Sequence, residues 1–313
     1  HDLDAGELKL MDLALAGLPG SGSALERLRA WIGGPENIHQ GGYVVVSVLE
    51  WGLARVLGTS LFVLRLVPIA ATVGAAACMA ALLRRRAGHR VALVALALFA
   101  GAPPLLLKWT TTARGGHSEA ILLPVLLALL LDRALAGGNR RWALAGIVGG
   151  FSVYFSYLAA PAVALLSLGA LAEAKVGGRS PLRPAAALLG GLILGFSPWL
   201  VGLLVLKLPY FEASIHMSPN PAEAAEVHAR TLLGTFSAVW TGLDHNLWPW
   251  GVWRSTQAAY ASATPDILSF EPGLWTQAAR AVVSLAVLAG IGAALRRRSP
   301  LLLALALLPV AHH

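Results

Sequence analysis

Residues 61–86, LFVLRLVPIAATVGAAACMAALLRRR, form a long apolar run that ends in three consecutive arginines. From Leu61 to Leu83 this run has 23 residues, and Arg65 is its one charge. At about 1.5 Å per residue, a helix of this length crosses the ~30 Å hydrocarbon core of a bilayer. A second run, from Ala185 to Leu206, has 22 residues without a charge. Both runs predict membrane-spanning helices.

The composition of the whole chain agrees with a membrane protein. Of its 313 residues, 57% are apolar and 13% are charged, whereas about a quarter of the residues of a soluble protein are charged. The predicted fold class is an all-α polytopic membrane protein with one transmembrane domain over residues 1–313. The single cysteine, Cys78, lies within a predicted span and has no second cysteine with which to form an internal disulfide.

The net charge of +8 reports topology rather than a nucleic-acid partner. Thirteen of the 24 Lys and Arg residues lie in four short connectors between apolar runs. Such clustering is typical of cytoplasmic loops. The connectors are Arg84–Arg90, Arg133–Arg141, Lys175–Arg183 and Arg296–Arg298.

Counting crossings between these connectors divides the chain into inner and outer parts. The apolar stretch between Arg141 and Lys175 joins two inner loops, which predicts a hairpin of two short arms that turns near Ser156–Pro161. The chain has no initiator methionine and its last apolar run is short, so we expect a fragment without its first span and C-terminal part. The predicted parts are an outer loop with juxtamembrane helices (1–60), core spans (61–207), a large outer loop (208–272) and C-terminal spans (273–311).

The N-terminal region is predicted to lie outside. Residues 1–42 hold six acids and three bases, unlike the basic connectors. Tyr43–Leu57 is short for a span and carries Glu50 and Arg55, which favours an interfacial helix on the outer leaflet. Capping-box spacing predicts two further helices, one beginning at Asp4 with Glu7 and one at Ser23 with Glu26.

Three stretches carry a resemblance to a known superfamily: DLDAGELKLMDLALAG (2–17), HQGGYVVVSVLEWGLARVLGTSLFVLRLVPIAATV (39–73) and TARGGHSEAILLP (112–124). In this order, the chain resembles the GT-C membrane glycosyltransferases, which include protein O-mannosyltransferases and aminoarabinose transferases, over residues 2–207. It departs from them at two places. Asp4 and Glu7 stand three apart where members often carry adjacent acids, and His117 with Glu119 stand where many have an aspartate.

The resemblance implies a reaction and its partners. Similar enzymes take a sugar from a polyprenyl phosphate and transfer it, with inversion, to a hydroxyl or amine on the outer face. The implied partners are a lipid-linked sugar donor, a glycan, lipid or protein acceptor, and membrane lipids. The implied location is the bacterial inner membrane, with the site facing the periplasm. Asp4 matches the general base, with Asp2 as the fallback, although a helix N-cap explains Asp4 equally well.

The polar patch of residues 108–120 predicts the second wall of this site. The leaving phosphate gains negative charge, so Lys108, Arg114 and Arg254 are candidates to stabilise it. Arg65 is a weaker candidate, because a cation at the end of a span also snorkels to the interface. Glu119 is predicted to lie in the catalytic cleft.

Further binding candidates are Glu7, His117, His245 and Trp250. His117 and Glu119 could bind a divalent cation, but two groups are too few for us to predict a metal site. The alternative for Glu119 is helix initiation after a Ser118 N-cap. Tryptophans such as Trp250 stack on sugars but also anchor proteins at lipid headgroups.

Two other functions remain open from sequence alone. Many transporters and flippases share this hydropathy, but they place charges at mid-membrane and often repeat their halves, whereas these spans have uncharged centres. A membrane scaffold without catalytic activity is the third alternative. Within the spans, the pairs Gly146 with Gly150 and Gly191 with Gly195 have small-xxx-small spacing, which predicts close helix packing.

Overall fold

The computed structural model describes residues 22–23, 26, 41–100, 119–204, 292–296 and 299–311. Regular structure within these residues is helical and includes no strand, which confirms the all-α prediction. Short 3-10 turns occur at Glu119–Ile121 and Tyr157–Ala159. In chain order, the helices are α1 (Gly41–Leu57), α2 (Leu61–Leu64), α3 (Leu66–Arg86), α4 (His89–Ala100), α5 (Leu122–Leu135), α6 (Asn139–Phe155), α7 (Ala160–Val176), α8 (Leu182–Leu204) and α9 (Pro300–Ala311).

Two helical segments are long and apolar enough to cross a membrane: Leu61–Arg86, which comprises α2 and α3, and Leu182–Gly202 of α8. The surface of α8 is also apolar, since Leu189, Ile193 and Leu194 are each 57% to 61% exposed. A contiguous apolar face of this kind is unfavourable in water but is covered by acyl chains in a bilayer. Both predicted spans are therefore present as helices.

The first of these spans is interrupted at Arg65, where the sequence predicted one continuous helix. Ser60 caps α2, because its hydroxyl accepts a hydrogen bond from the Val63 N–H at 3.3 Å. Pro68 follows in the first turn of α3 and has no N–H to donate to the carbonyl of Leu64, four residues earlier. The proline accounts for the turn between α2 and α3.

Helices α6 and α7 form the hairpin predicted between the second and third connectors. Ser156 ends α6 in extended geometry, with φ −147° and ψ 117°, and its N–H donates to the Ser152 carbonyl at 2.9 Å. Pro161 lies in the first turn of α7, where its missing N–H costs no helical bond. Each arm has 17 residues. The structure thus confirms the position of the turn and the shortness of the arms.

Helices α6 and α8 touch along a glycine seam, which consists of Gly146, Gly150, Gly191 and Gly195. A Cβ atom added to Gly146 would lie 2.9 Å from the Cα of Gly191, and one added to Gly191 would lie 2.9 Å from the Cα of Gly146. These separations are shorter than a van der Waals contact, so the backbones pack as closely as glycine alone allows. The predicted close packing is confirmed.

The centre of the bundle is formed by α5, α6 and α7, with α9 against them. Leu127, Leu131 and Leu166 are fully buried in one continuous cluster, and Leu301 of α9 joins them at 0% exposure. Helix α9 approaches α7 closely at Gly169, where an added Cβ would lie 2.8 Å from the Cβ of Ala304. The short apolar run at the end of the chain is therefore part of the core.

The arginine-rich connectors meet at one end of the bundle, here called the arginine end. Asp132, at the end of α5, is 5% exposed and accepts hydrogen bonds from the Nε of Arg85, at 2.6 Å, and the Nε of Arg86. The Nη1 of Arg86 also donates to the Oε1 of Glu173 in α7 at 2.6 Å. Two carboxylates therefore tie the first connector to the second and third.

The same network reaches the last connector. The second carboxylate oxygen of Glu173 accepts hydrogen bonds from the hydroxyl of Ser299, at 2.6 Å, and the N–H of Leu301, at 3.2 Å. The guanidinium of Arg179 donates to the Leu135 carbonyl. All four connectors thus share one end of the bundle, as the prediction that they lie on one side of the membrane requires.

One of the two predicted capping boxes lies within the described residues. The N–H of Ser23 donates to Oε2 of Glu26 at 2.7 Å, and the N–H of Glu26 donates to the hydroxyl of Ser23 at 3.2 Å. Two hydrogen bonds to its carboxylate lower the pKa of Glu26 below its ordinary value. The larger effect comes from the Ser23 N–H and the smaller from the Ser23 hydroxyl. The box at Asp4 and Glu7 lies outside the described residues.

Candidate functional site

The end of the bundle remote from the arginines is closed by a small apolar cluster, here called the Val46 cluster. Val46 of α1 and Phe155, the last residue of α6, are buried together at 1% and 5% exposure. Val67 from the start of α3, and Ala120 and Leu123 from the start of α5, pack against this pair. Four chain segments that are distant in sequence therefore meet at this end.

Glu119 is buried beside this cluster. It opens the 3-10 turn that precedes α5, directly before Ala120, and is 3% exposed. Glu119 has at least one interaction partner. A carboxylate that served only to start a helix would be expected to stay in water, because burying the charge costs free energy unless polar partners compensate. Burial therefore favours the hypothesis that Glu119 lies in an interior site.

Glu50 is a second buried carboxylate at this end, and sequence reasoning missed its role. It follows Val46 by one helical turn on α1 and is 0% exposed. The sequence pattern did contain a signal. The buried face of α1 repeats every four residues through small or apolar side chains, and Glu50 is the one acid in that series, which runs Gly42, Val46, Glu50 and Ala54. Glu50 also has at least one interaction partner.

The rest of α1 is arranged so that one face is held against the bundle. The hydroxyl of Ser47 donates to the Tyr43 carbonyl at 2.7 Å, which satisfies a polar group that is only 1% exposed. The ring of Tyr154 lies over Gly41, where an added Cβ would approach its Cε1 to 2.7 Å. On the opposite face, the guanidinium of Arg55 lies 5.5 Å from the ring centre of Trp51. The exposed face of α1 is mostly apolar, with Val48, Leu49 and Val56 at 50% to 81% exposure, and the interfacial position of this helix stays a prediction.

Buried carboxylates that border one cluster can perform several tasks. A carboxylate in a partly desolvated cleft can take a proton from a hydroxyl nucleophile, accept hydrogen bonds from a sugar, or balance a nearby cation. Glu50 and Glu119 provide two such groups at the end of the bundle where the sequence places the outer face.

A protein-family model described as dolichyl-phosphate-mannose-protein mannosyltransferase matches residues 44–201. This match covers just over half of the chain.

The chain belongs to this mannosyltransferase family. It is therefore a GT-C glycosyltransferase and an integral membrane protein. No curated protein and no solved structure matches the chain. The family match confirms the resemblance and favours a transferase over the transporter and scaffold alternatives.

The region matched to the mannosyltransferase family runs from α1 into α8. It contains Glu50, Glu119 and the first three arginine-rich connectors, so both buried carboxylates belong to the part of the chain that defines the family. The N-terminal acids Asp4 and Glu7 precede it. The resemblance predicted from residues 2–207 is therefore matched over its larger part and not over its first segment.

Of the residues predicted to form the mannosyltransferase-like site, Glu119 and the weaker candidate Arg65 are described: Glu119 lies in the interior, and Arg65 lies at the turn between α2 and α3. The roles of the others stay predictions, because they lie outside the described residues. These are Asp4, Glu7, Lys108, Arg114, His117, His245, Trp250 and Arg254.

No metal site was predicted for this transferase, and binding of a divalent cation is untested. Within the described ranges, no three His, Cys, Asp or Glu side chains are grouped so that they could hold a metal ion. His117, the proposed companion of Glu119, precedes the described segment that begins at residue 119.

Proposed function

We propose that this protein transfers a sugar from a polyprenyl-phosphate donor to a hydroxyl or amine acceptor at the extracytoplasmic membrane surface, with inversion at the anomeric carbon. The observation that carries the proposal is the match over residues 44–201 to a family named for a lipid-phosphate mannose donor and a protein acceptor. The buried carboxylates Glu50 and Glu119 support it, because transfer to a weak nucleophile needs a base and groups that orient the sugar.

The proposed reaction is a single displacement. The acceptor oxygen or nitrogen forms a bond to the anomeric carbon on the face opposite the phosphate. The bond between that carbon and the phosphate oxygen breaks, and the electron pair leaves with the polyprenyl phosphate. A carboxylate takes the proton that the acceptor loses. No oxidant or reductant is needed, since one glycosidic bond replaces another.

In this proposal Asp4 is the general base and Glu119 is the second carboxylate of the cleft. The role of Asp4 comes from the resemblance of the N-terminal stretch, and the role of Glu119 is supported by its burial beside the Val46 cluster. Because α5 begins immediately after the Glu119 turn, the helix fixes the position of this carboxylate relative to α1 and α3. Glu50 is proposed to support that position from α1.

The remaining residues are proposed to bind the substrates. Lys108, Arg114 and Arg254 would stabilise the phosphate as it gains charge in the transition state. The other proposed substrate contacts are Glu7, His117, His245 and Trp250. A divalent cation at His117 and Glu119 is compatible with these assignments but is not needed for any step. The large outer loop, residues 208–272, is proposed to contribute to the acceptor side.

The proposed sidedness is that the arginine end faces the cytoplasm and the Val46 cluster faces outward, toward the periplasm of a bacterial inner membrane. Convergence of the basic connectors supports it, because basic loops are retained on the cytoplasmic side. Donor headgroups would then lie at the outer leaflet beside Glu119.

Transfer is tested in membranes supplied with a radiolabelled polyprenyl-phosphate sugar. We expect Asp4→Asn and Glu119→Gln to lower turnover by about 10²–10⁴-fold, the usual contribution of a positioned acid or base, at unchanged expression. Asp12→Asn provides a control in the same N-terminal segment and should keep its turnover. Undiminished turnover in Asp4→Asn would exclude it as the base, and activity lost in Asp2→Asn instead would assign that role to Asp2.

A second control separates chemistry from folding. Asp132→Asn removes a carboxylate at the arginine end and should lower stability while leaving turnover per folded molecule intact. Glu119→Gln should keep its stability and lose turnover per folded molecule. If the activity of both variants falls only as much as their amount of folded protein, Glu119 has no part in the reaction.

Sidedness is tested by cysteine labelling in a Cys78→Ser background. A Gly116→Cys variant should react with a membrane-impermeant maleimide in intact cells. Gly138→Cys, at an exposed position of the arginine end where an added Cβ meets nothing within 4 Å, should react after permeabilisation only. The reverse pattern would contradict the proposed orientation.

A further inference from the structure

A cleft at the arginine end is separate from the proposed transfer site. It has a volume of about 410 Å³ and is lined by side chains of three helices: Arg85 of α3, Leu130 and Arg133 of α5, and Arg141 and Leu144 of α6. This volume falls in the range of about 300–1,000 Å³ that small-ligand sites occupy. The cleft lies between helices, where a ligand from the surrounding lipid can enter.

The cleft carries positive charge that the carboxylates of the described residues neutralise only in part. Arg85 is matched by Asp132 at 2.6 Å. Within the part of the chain that the structure describes, neither Arg133 nor Arg141 forms an ion pair with a carboxylate. Two guanidinium groups facing one cleft repel each other, so an anion between them would be stabilised by both.

The position of Arg141 is fixed by its surroundings. Its Nη1 donates a hydrogen bond to the carbonyl of Arg133 at 3.2 Å. Its side chain lies across the turn at Gly137, where an added Cβ would be 2.9 Å from both Nε and Nη1 of Arg141. The absence of a side chain at Gly137 therefore lets Arg141 lie flat beside Arg133. Arg141 is therefore positioned before any ligand arrives, which lowers the entropy cost of binding.

The lining of the cleft changes from charged to apolar along the helix axes. Leu130 precedes Arg133 by one turn of α5, and Leu144 follows Arg141 by one turn of α6. Since both helices have their arginine at the arginine end, both leucines lie about one turn deeper in the bundle. Leu144 is 49% exposed, so the apolar wall opens outward. A ligand that fits this gradient has an anionic head and an apolar tail.

We propose that this cleft binds the phosphate headgroup of an anionic phospholipid from the leaflet at the arginine end. The guanidinium groups of Arg133 and Arg141 bind the phosphate oxygens, and the first carbons of the acyl chains lie against Leu130 and Leu144. Basic pockets between membrane helices on the cytoplasmic side are suited to such headgroups. The lipid joins α5 to α6 and is not a substrate. The proposal does not depend on the transfer reaction.

The test uses the full chain, purified in detergent, with bound lipid counted by native mass spectrometry during titration with phosphatidylglycerol. Each arginine near an anionic lipid contributes about fivefold in affinity, so the Arg133→Gln/Arg141→Gln variant should bind about 30-fold more weakly. The matched control is Arg84→Gln/Arg140→Gln. It removes the same charge from two exposed arginines that do not line the cleft, and it should bind as the unaltered protein does.

A second pair of variants keeps all charges and guards against misfolding. Gly137→Ala displaces the Arg141 side chain and should weaken phosphatidylglycerol binding several-fold. Gly138→Ala, whose added Cβ meets nothing within 4 Å, should leave binding unchanged. Equal binding by these two variants would overturn the proposed role of Arg141.

The choice of lipid decides the remaining alternatives. Phosphatidylglycerol should bind in preference to phosphatidylcholine, and inorganic phosphate alone should not protect the protein against thermal unfolding. Equal binding of phosphatidylcholine would overturn the anionic site. Equal protection by inorganic phosphate would show that the cleft takes free phosphate and would overturn the lipid assignment. An equal loss of binding in the two double glutamine variants would show that binding depends only on the overall charge, and would likewise overturn the proposal.

Discussion

Substitution of Gly191 by alanine should separate α6 from α8. The added methyl group would lie 2.9 Å from both the Cα of Gly146 and the N of Ile147, and closer still to the Ala143 carbonyl. An ordinary contact begins near 3.4 Å, so the helices must move apart by about 0.5 Å at the Cα and by more at the carbonyl. These are backbone atoms that cannot rotate away. Overpacking of this kind costs about 1–3 kcal/mol.

The matched control is the neighbouring Gly190→Ala. Gly190 is exposed on α8, and a Cβ there meets nothing within 4 Å, so the same chemical change creates no clash. It should be neutral or slightly stabilising, because alanine has the higher helix propensity. Apparent melting temperatures in detergent, read from the loss of monodisperse protein after heating, compare the two variants. Equal melting temperatures for Gly190→Ala and Gly191→Ala would refute the argument that the glycine seam sets the helix separation.

Three further predictions concern other parts of the bundle. Asp132→Asn leaves Arg86, which is 18% exposed, without one of its two carboxylates. Arg86 keeps its pair with Glu173, so the loss is that of hydrogen bonds to one charged group, about 1.5–3 kcal/mol. This variant should unfold at lower denaturant than the unaltered protein; equal midpoints would contradict it. Gly169→Ala places a methyl group 2.8 Å from the Cβ of Ala304 and 2.9 Å from the Pro300 carbonyl, and should loosen α9 by about 1–3 kcal/mol. Faster proteolysis in the arginine connector before α9 would show this, and unchanged cleavage would argue against the α7–α9 contact. The capping box should weaken in acid, because the pKa of Glu26 is lowered in the folded chain. The contribution of the Glu26 carboxylate to folding stability is therefore complete above its ordinary pKa and is lost as the pH falls through the lowered pKa. An NMR titration of the Glu26 carboxyl carbon should show a lowered pKa that rises part of the way toward its ordinary value in Ser23→Ala, because this variant keeps the N–H donor and loses the hydroxyl. An unchanged pKa in this variant would disprove the contact with the Ser23 hydroxyl.

Some features of the fold could be predicted because they depend on local sequence. A helix of given apolar length, a Ser-x-x-Glu capping box and a proline at the start of a helix each follow from interactions within a few residues. The glycine seam was predictable for a related reason. Small residues four apart line one face of a helix, and a membrane helix gains stability when such a face allows close approach. The hairpin turn near Ser156 followed from one apolar stretch that joins two inner loops and must therefore cross an even number of times.

Other features could not be predicted because they depend on contacts between distant segments. The sequence showed that the connectors are basic. It did not show that Asp132 and Glu173 would neutralise two of their arginines. Glu50 illustrates the same limit at the candidate site. Its charge suggested a poor membrane span, whereas the structure buries it completely against other helices. The role of a single buried acid on an apolar face depends on residues that are distant from it in the sequence.

The hairpin of α6 and α7 has a consequence for the surrounding bilayer. An arm of 17 residues is about 25 Å long, which is less than the ~30 Å of hydrocarbon that a bilayer presents. Lipids next to the pair must therefore thin, or water must descend to the bend at Tyr157–Ala159. Either response makes a local dimple in the membrane. Phosphates at its rim sit several ångströms lower than those of undisturbed lipid, and the headgroup of a lipid-linked sugar donor beside the hairpin shares that lower position.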